Sequence, residues 1–270
     1  MKVLCFDIGN TDIYGGVCHG REVIAEFRKS SQQSPTADDF GVFVLQILSS
    51  RGIAVESLDA IAVASVVPDC NQVVIEACLT YLGIKPLLLQ AGVRTGLKIR
   101  TKNPAEVGAD RIANAIAAVE LFPETDRVVV DMGTATTFCA INRRDEYLGG
   151  VIAAGMGLSM RALARNTAKL PYVDLAIPSA CLGKNTIESI QSGLYFSHLG
   201  LLREVISRLQ DEAFEGREPV VIVTGGHARF FKDESIVTAY VPDLVLHGLC
   251  RAVELNQIHE PDRSKAELQS

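Results

Sequence analysis

The sequence has no cluster of basic residues and no long apolar run. Its 270 residues include 26 lysines and arginines against 32 acidic residues, which gives a formal net charge of −6. A nucleic-acid-binding surface needs clustered positive charge, so the composition predicts no DNA or RNA partner. No apolar stretch approaches the roughly 20 residues of a membrane span, and the N-terminus has no signal-peptide pattern. We therefore expect a cytoplasmic protein without membrane segments.

The seven cysteines are scattered along the chain and form no CxxC pair. An odd number at such spacing argues against a disulfide framework and against structural zinc, so reduced thiols are expected. The five histidines are equally dispersed, which gives little support to a histidine-based metal site. Hydrophobic residues make up 48% and charged residues 21% of the chain, as in ordinary globular proteins. The length allows one or two domains.

The most informative stretch is Asp7-Ile8-Gly9-Asn10-Thr11, at the end of an apolar run over residues 3–6. The run predicts a buried strand, and the residues after it predict a tight turn. Glycine lets the backbone approach a ligand, the Asn and Thr side chains can donate hydrogen bonds, and the aspartate can hold a metal ion. The stretch therefore suits the phosphates of a nucleotide.

A second stretch repeats this pattern later in the chain. An apolar run over residues 128–130 is followed by Asp131, Gly133 and Thr134. Two strand-acid-glycine-threonine turns, one in each half, predict two related lobes that face one nucleotide. A later apolar run over residues 220–223 ends in a glycine turn at Gly225, which is suited to pass under a flat adenine ring. We assign no role to the adjacent His227.

The segment 103–111 predicts a helix start, with Asn103 as the cap. Gly108 lies inside this predicted start, where glycine costs roughly 1 kcal/mol relative to alanine. The glycine therefore needs a reason, and close approach of a substrate to the backbone is one. For Asp110 beside Arg111, the residues alone leave a solvated ion pair as the simpler interpretation.

Two other helix starts are visible in the sequence. Thr36 followed by Asp39 has the form of a capping box before an apolar periodic segment. Residues 183–186 precede a long helical stretch, and this start places backbone amides and Thr186 where an anionic group could bind. A helix cap explains Thr186 about as well, so both interpretations are open at this point.

Taken together and in order, these motifs resemble the type III pantothenate kinases, in the superfamily of actin, hexokinase and Hsp70-like ATPases. The resemblance extends over nearly the whole chain. The stretches that carry it are residues 7–11, 65–68, 108–111, 131–136, 183–186, 224–226 and 242–244.

The resemblance implies an α/β fold of two related ribonuclease H-like lobes with ATP in the cleft between them. The expected division is an N-terminal lobe at 1–118, a C-terminal lobe at 119–258 and a polar tail at 259–270. The implied activity is transfer of the ATP γ-phosphoryl group to pantothenate, the first step towards coenzyme A. The alternatives are a nucleotide-binding accessory factor with weak or no catalysis, and a related kinase with another small hydroxyl acceptor.

The resemblance also implies roles for individual residues. Asp110 is the expected catalytic base. The expected pantothenate-binding residues are Thr101, Gly108, Ala109, Asp110, Arg111 and Thr186. The expected ATP-binding residues are Asp7, Ile8, Gly9, Asn10, Thr11, Asp12, Ile13, Tyr14, Thr134 and Gly225.

The resemblance further implies cofactors and a partner. Asp7 is expected to place Mg2+, and Asp131 to bind a monovalent cation, either potassium or ammonium. The expected partner is a second copy of the chain in a homodimer. The chain departs from the family at Thr101, where tyrosine is frequent, and at Asp12, where asparagine is frequent. These departures are the only support for the accessory-factor alternative.

Overall fold

The computed structural model describes residues 1–31 and 36–257. The predicted polar tail and part of the predicted loop before the first helix lie outside these residues. The described chain divides into two compact units. Unit 1 comprises Met1–Leu97, Asn103–Ala117 and the final helix from Leu244, and unit 2 comprises Lys98–Lys102 and Ala118–Asp243.

The secondary structure alternates strands and helices, as an α/β fold requires. The strands are β1 (Lys2–Ile8), β2 (Asp12–His19), β3 (Glu22–Ser30), β4 (Ala60–Ser65), β5 (Leu87–Leu88), β6 (Lys98–Ile99), β7 (Arg127–Met132), β8 (Ala135–Ile141), β9 (Glu146–Ala154), β10 (Val220–Thr224) and β11 (Ala239–Tyr240). The helices are α1 (Ala37–Ser50), α2 (Pro68–Ala77), α3 (Ala109–Leu121), α4 (Met156–Asn166), α5 (Thr186–Phe214) and α6 (Leu244–Gln257). Within the described residues, no helix is long and apolar enough to span a bilayer.

The two sheets share one strand order. In unit 1 the order is β3-β2-β1-β4-β5, with an antiparallel meander from β1 to β3 and parallel pairing of β1 with β4 and of β4 with β5. In unit 2 the strands β9-β8-β7-β10-β11 repeat that order and those directions, and β6 is added beside β9. The predicted pair of related lobes is confirmed by this repetition.

Alternation along β1 sends its side chains to two different layers of unit 1. Leu4, Phe6 and Ile8 join an apolar core with residues of α1 and α2. On the other side of the sheet, α6 packs against β1, β2 and β4. The sequence analysis placed this last helix in the second lobe, whereas its buried apolar residues pack in unit 1.

The core of unit 2 forms between its sheet and two helices. Val128, Val130 and Met132 of β7 pack with apolar residues of α4 and α5, including Met160 and Leu202. The central strand is thereby held on one face by a long helix, which fixes the position of its carboxyl end.

Local capping signals fix the start of α1. The Thr36 side chain accepts a hydrogen bond from the Asp39 backbone at 3.1 Å, and the Asp39 carboxylate accepts one from the Thr36 backbone at 3.2 Å. This reciprocal pair confirms the predicted capping box.

The predicted helix start at Asn103 is wrong. Residues Pro104–Glu106 form a separate single 3-10 turn, and the Asn103 side chain bonds the Glu106 carboxylate instead of capping a helix. Val107 then has extended backbone, with φ −74° and ψ 122°, which interrupts any continuous helix. As a result α3 begins at Ala109, and the Gly108 carbonyl accepts its first intrahelical bond, from the Ile112 N–H at 3.1 Å.

Candidate functional site

The first predicted phosphate turn follows the carboxyl end of β1. The Gly9 N–H donates to the Asp12 carbonyl at 3.0 Å and closes the turn. Asn10 and Asp12 are exposed at the turn, whereas the Asp7 side chain is half-buried. Polar side chains are thus presented to solvent at the end of a buried strand, as a phosphate-binding turn requires.

The later residues of the predicted ATP-binding stretch face the interior of unit 1. The side chains of Ile8 and Ile13 are fully buried, and the Tyr14 hydroxyl donates to the Glu26 carboxylate at 2.8 Å. Any contact that these three residues make with a ligand would therefore use their main-chain atoms.

The first turn lies beside the exit of β4. In the parallel pairing, Asp7 lies opposite Ala64 and Ile8 opposite Ser65, and the Val66 N–H donates to the Ile8 carbonyl at 3.1 Å. Carboxyl ends of parallel strands are the usual location of ligand sites in open α/β sheets.

The predicted catalytic base lies next to the same strand exits. A Cβ added to Gly108 would overlap Asp110 Oδ1 and would lie 3.4 Å from Val66 Cγ1. The Asp110 carboxylate and Val66 therefore pack around the Gly108 backbone. Unit 1 thus brings residues 108–111 to the strand end that carries the first turn, and Gly108 is required because a side chain there would displace the carboxylate.

The electrostatic environment of Asp110 favours a proton acceptor. Burial of this half-buried side chain raises the pKa of its carboxyl group, although the Arg111 backbone N–H, which donates to Oδ1 at 2.8 Å, acts in the opposite direction. A carboxylate with a raised pKa is better matched to a general base than an ordinary exposed aspartate.

The second predicted turn is built at the equivalent position of unit 2. Asp131 near the end of β7 lies opposite Thr224 at the end of β10. Gly225 follows with φ +89°, and a Cβ there would overlap Asp131 Oδ1. A Cβ on Gly133 would lie 3.7 Å from the same oxygen. The Asp131 carboxylate is therefore packed directly against the Gly225 backbone, where a side chain would displace it.

Neighbouring segments fix the conformation of the second turn. The Gly155 N–H donates to the Thr134 carbonyl at 3.1 Å, and a Cβ on Gly155 would overlap the carbonyls of Gly133 and Thr134. The His227 backbone N–H donates to the Met132 carbonyl at 3.0 Å. The sequence analysis gave His227 no role, because nothing in a lone histidine after a glycine pair signals a bond to a distant turn.

A groove of about 900 Å3 runs between α4 and α5 in unit 2. Its lining combines hydroxyl and amide groups with apolar side chains: Ser159, Ala162, Leu163, Asn166, Thr167, Leu170, Thr186, Ser189, Ile190, Gly193, Leu194 and Ser197. A cavity of this size and mixed chemistry is typical of small-molecule sites.

The α5 start shows that Thr186 is not the helix cap, and its predicted role in binding an anionic group stays a prediction. Asn185 is the cap, because its side chain accepts from the Glu188 N–H at 2.9 Å. Gly183 lies so close to this first turn that a Cβ would be 2.7 Å from the Glu188 carbonyl carbon. Thr186 is therefore not needed as the cap, and its exposed side chain lines the groove.

The motif order and these turns match one family of proteins over most of the chain. The model of the type III pantothenate kinase family matches residues 3–208. A type III pantothenate kinase of Legionella pneumophila (strain Paris) is 48% identical over 254 residues, covering 94% of this chain and 99% of that protein. One of Elusimicrobium minutum is 40% identical, with 94% and 99% covered. The chain belongs to the type III pantothenate kinase family.

Solved structures agree with this family assignment at the level of fold. A Campylobacter jejuni protein assigned to a Baf family of transcriptional activators has a TM-score of 0.60 at 18% identity, covering 94% of this chain and 99% of its own. A Sinorhizobium meliloti protein assigned as a 2-dehydro-3-deoxygalactonokinase has a TM-score of 0.57 at 13% identity, covering 96% and 97%. At these identities the likeness establishes the fold alone.

Thr101 is the one predicted pantothenate-binding residue that precedes the 3-10 turn at Pro104–Glu106. It follows β6 in unit 2, and its half-buried side chain carries a buried Oγ1 that has no hydrogen-bond partner within the described residues. A buried hydroxyl without a protein hydrogen-bond partner is uncommon in folded proteins.

Proposed function

We propose that this chain transfers the γ-phosphoryl group of ATP to the primary hydroxyl of pantothenate and so performs the first step of coenzyme A synthesis. Family membership supports the reaction. The observation that carries the mechanism is the Asp110 carboxylate, with its raised pKa, beside the strand exits of the first turn.

Asp110 is the proposed base for the acceptor hydroxyl. Phosphoryl transfer depends mainly on positioning and on neutralising charge, with a carboxylate that takes or orients the proton of the nucleophile. A raised pKa makes it easier for the Asp110 carboxylate to accept the proton that leaves the acceptor hydroxyl. Loss of a positioned general base costs typically 10²- to 10⁴-fold in rate.

The other residues proposed to contact pantothenate are assigned from their positions in the sequence motifs. Gly108 and Ala109 offer backbone at the start of α3, and Arg111 offers a cation for the pantothenate carboxylate. Asn185 caps α5, so the Thr186 side chain is not used in capping and lines the groove instead. Thr101 contributes a hydroxyl in place of the aromatic ring that is frequent in the family.

The proposed nucleotide contacts come from the two glycine turns. The turn from Asp7 to Asp12 takes phosphate oxygens through its amides and polar side chains. Thr134 is exposed at the second turn and offers a hydroxyl, while Gly225 lets the base approach the backbone.

The proposed cations are Mg2+ at Asp7 and potassium or ammonium at Asp131. Carboxylate oxygens are ligands that hard cations prefer, and the packing of Asp131 Oδ1 against the Gly225 backbone fixes the position of that carboxylate at the second turn. When bound, such cations neutralise phosphate charge. A cytoplasmic location stays a prediction of the sequence.

A homodimer is proposed through unit 2. Six large apolar side chains are exposed within one segment: Ile152, Leu158, Tyr172, Ile177, Leu182 and Ile187. Leu182 is 80% exposed. Apolar exposure concentrated in this way marks interaction surfaces, and a second copy of the chain is the proposed occupant.

Light scattering tests the proposed dimer. The parent protein should be a dimer, and Leu182→Glu should weaken it. The control variant Leu79→Glu, at another exposed leucine, should leave the dimer unchanged. A monomeric parent protein would contradict the proposal.

The decisive experiment measures coupled ADP release with ATP, Mg2+ and pantothenate in potassium, ammonium or sodium. Turnover should require pantothenate, should prefer potassium or ammonium, and should fall by about 10²-fold or more in Asp110→Asn. Asp211→Asn, on the exposed surface of α5, is the matched control. ATP binding without turnover under any cation would favour the accessory-factor alternative, and turnover of other hydroxyl acceptors but not pantothenate would indicate a different kinase.

A further inference from the structure

Three cysteines that are dispersed in the sequence meet inside unit 1. Cys5 lies on β1, Cys18 on β2 and Cys250 on α6. Their sulfur atoms all lie within 4.8 Å of one another, and the Sγ atoms of Cys5 and Cys250 are 3.6 Å apart. Their exposures are 0%, 1% and 5%. We name these three residues the thiol triad.

The register of the sheet explains the convergence. In the antiparallel pair, Cys18 lies opposite Val3 and Cys5 opposite Gly16, so both cysteines point to the same face of the sheet. A Cβ added to Gly16 would lie 2.7 Å from Leu246 Cδ1. Glycine at this position therefore lets α6 approach closely enough for Cys250 to reach the two strand cysteines.

The helix is also held from its other side. A Cβ on Gly248 would overlap the Ala113 backbone of α3. The close approach of α3 and α6 fixes the height of α6 over the sheet, and so the position of Cys250. Close packing at Gly16 and Gly248 therefore brings the three thiols together. Their relative positions are fixed by β1, β2 and α6.

We propose that the thiol triad is a binding site for one Cu(I) ion, with the three sulfur atoms as its ligands. Three sulfurs held at about 2.3 Å from a common metal ion lie about 4 Å apart, by the thiolate distance known for zinc. The Cys5–Cys250 separation is 3.6 Å and all three sulfur atoms lie within 4.8 Å of one another, which is compatible with that value. Binding forms three metal–sulfur bonds, releases the thiol protons to solvent, and changes no oxidation state.

Ligand number and ligand type favour Cu(I) over other ions. Soft thiolate ligands select Cu(I) and zinc, but structural zinc takes four ligands. Among the described residues, this cluster contains three ligand side chains and no histidine or carboxylate. Its burial leaves little access for water as a fourth ligand. The hard cations proposed for the kinase reaction prefer oxygen ligands and do not compete for it.

Burial and the fold give the triad two further properties. Burial raises the pKa of the Cys5 thiol well above its ordinary value, and a buried cysteine packs like a small apolar side chain. Because the ligands come from β1, β2 and α6, a bound ion would also fasten the last helix to the N-terminal strands.

The test is an anaerobic titration of the full-length protein with Cu(I) against a competing Cu(I) chelator. The parent should carry Cys181→Ser, because Cys181 is the exposed cysteine and could bind copper by itself. We expect one ion per chain, a sulfur-to-copper charge-transfer band in the near ultraviolet, three sulfur neighbours by X-ray absorption, and a higher thermal midpoint after loading.

Variants make the test specific. Cys18→Ala and Cys250→Ala should each lose at least about 100-fold in Cu(I) affinity, whereas Cys70→Ala, a buried cysteine elsewhere in unit 1, should retain it. Circular dichroism checks folding, and Cys18→Ser replaces any alanine variant that fails to fold. No binding at one equivalent, binding unchanged in the triad variants, or preference for Zn2+ in a parallel titration would each overturn the proposal.

Discussion

Gly225→Ala tests whether the Asp131 carboxylate belongs to the working site. Gly225 has φ +89°, and an added Cβ would lie 2.8 Å from the Met132 backbone nitrogen and closer still to Asp131 Oδ1. Ordinary contact begins at 3.4 Å, so the neighbours must shift by at least 0.6 Å (3.4 − 2.8), and the carboxylate by more. Misplacement of a site group by about 1 Å can cost roughly 100-fold in rate.

The substitution also has a cost that is unrelated to the site. A non-glycine residue at positive φ is destabilised by about 1–3 kcal/mol, which corresponds to a fall in thermal midpoint of roughly 2–4 °C for each kcal/mol in a protein of nearly this size. Gly216→Ala is the matched control, because Gly216 has φ +80° and an added Cβ would meet nothing within 4 Å. The thermal midpoint should fall in both variants, and the fall should be larger in Gly225→Ala.

Activity separates the two variants. Pantothenate-dependent ADP release should fall by about 10- to 100-fold in Gly225→Ala, and its dependence on potassium or ammonium should weaken because the displaced carboxylate is the proposed cation ligand. Gly216→Ala should keep both properties below its unfolding temperature. If Gly225→Ala had a lower thermal midpoint but kept the kcat/KM and the cation dependence of the parent protein, the assignment of Asp131 to the site would be refuted.

Three further substitutions have definite expectations. Thr36→Ala removes the capping box of α1 and should destabilise the protein by about 1 kcal/mol without changing kcat, as checked by denaturant unfolding. Gly183→Ala should raise KM for pantothenate, because a Cβ at 2.7 Å from the Glu188 carbonyl carbon displaces the start of α5. Asp126 is 1% exposed at its side chain and bonds Arg143 and Arg217. Burial alone would raise its pKa, but these bonds lower it. The stability from this ionised group is therefore present at neutral pH and lost as pH falls through the folded pKa, so Asp126→Asn should lower the midpoint near pH 7 and flatten its acid dependence.

Most of the features that could be predicted from the sequence are set by interactions between residues that are close in the chain. The capping box at Thr36 and the strand-acid-glycine turns at Asp7 and Asp131 depend on residues a few positions apart. Their signals therefore survive in the linear sequence, and the duplicated turns were enough to predict the duplicated sheets. The start of α3 was missed because Asn103 bonds Glu106 within an isolated turn, which gives the same residue pattern as a helix start.

Long-range packing could not be predicted from the residues alone. The final helix belongs to unit 1 because its apolar face packs against β1, β2 and β4, which all lie in the first quarter of the chain. The thiol triad depends on that same docking, so the scattered cysteines carry no local signal of it. Asn185 and Thr186 are both plausible caps by residue type, and only the geometry assigns the cap to Asn185.

The repetition of strand order makes the two acidic turns directly comparable. Asp7 and Asp131 lie near the ends of equivalent strands, opposite Ala64 and Thr224 in the paired strands. The next residue along the paired strand is Ser65 in unit 1 and Gly225 in unit 2.

The residues that pair with the two acids therefore differ between the units. In unit 2 the Asp131 carboxylate packs against Gly225, where an added Cβ would overlap Oδ1. Because the equivalent position in unit 1 is Ser65, Gly225→Ala perturbs the proposed monovalent-cation site at Asp131 and leaves the proposed Mg2+ site at Asp7 unchanged. A change in the dependence on potassium or ammonium, with the dependence on Mg2+ kept, would therefore separate the two proposed roles.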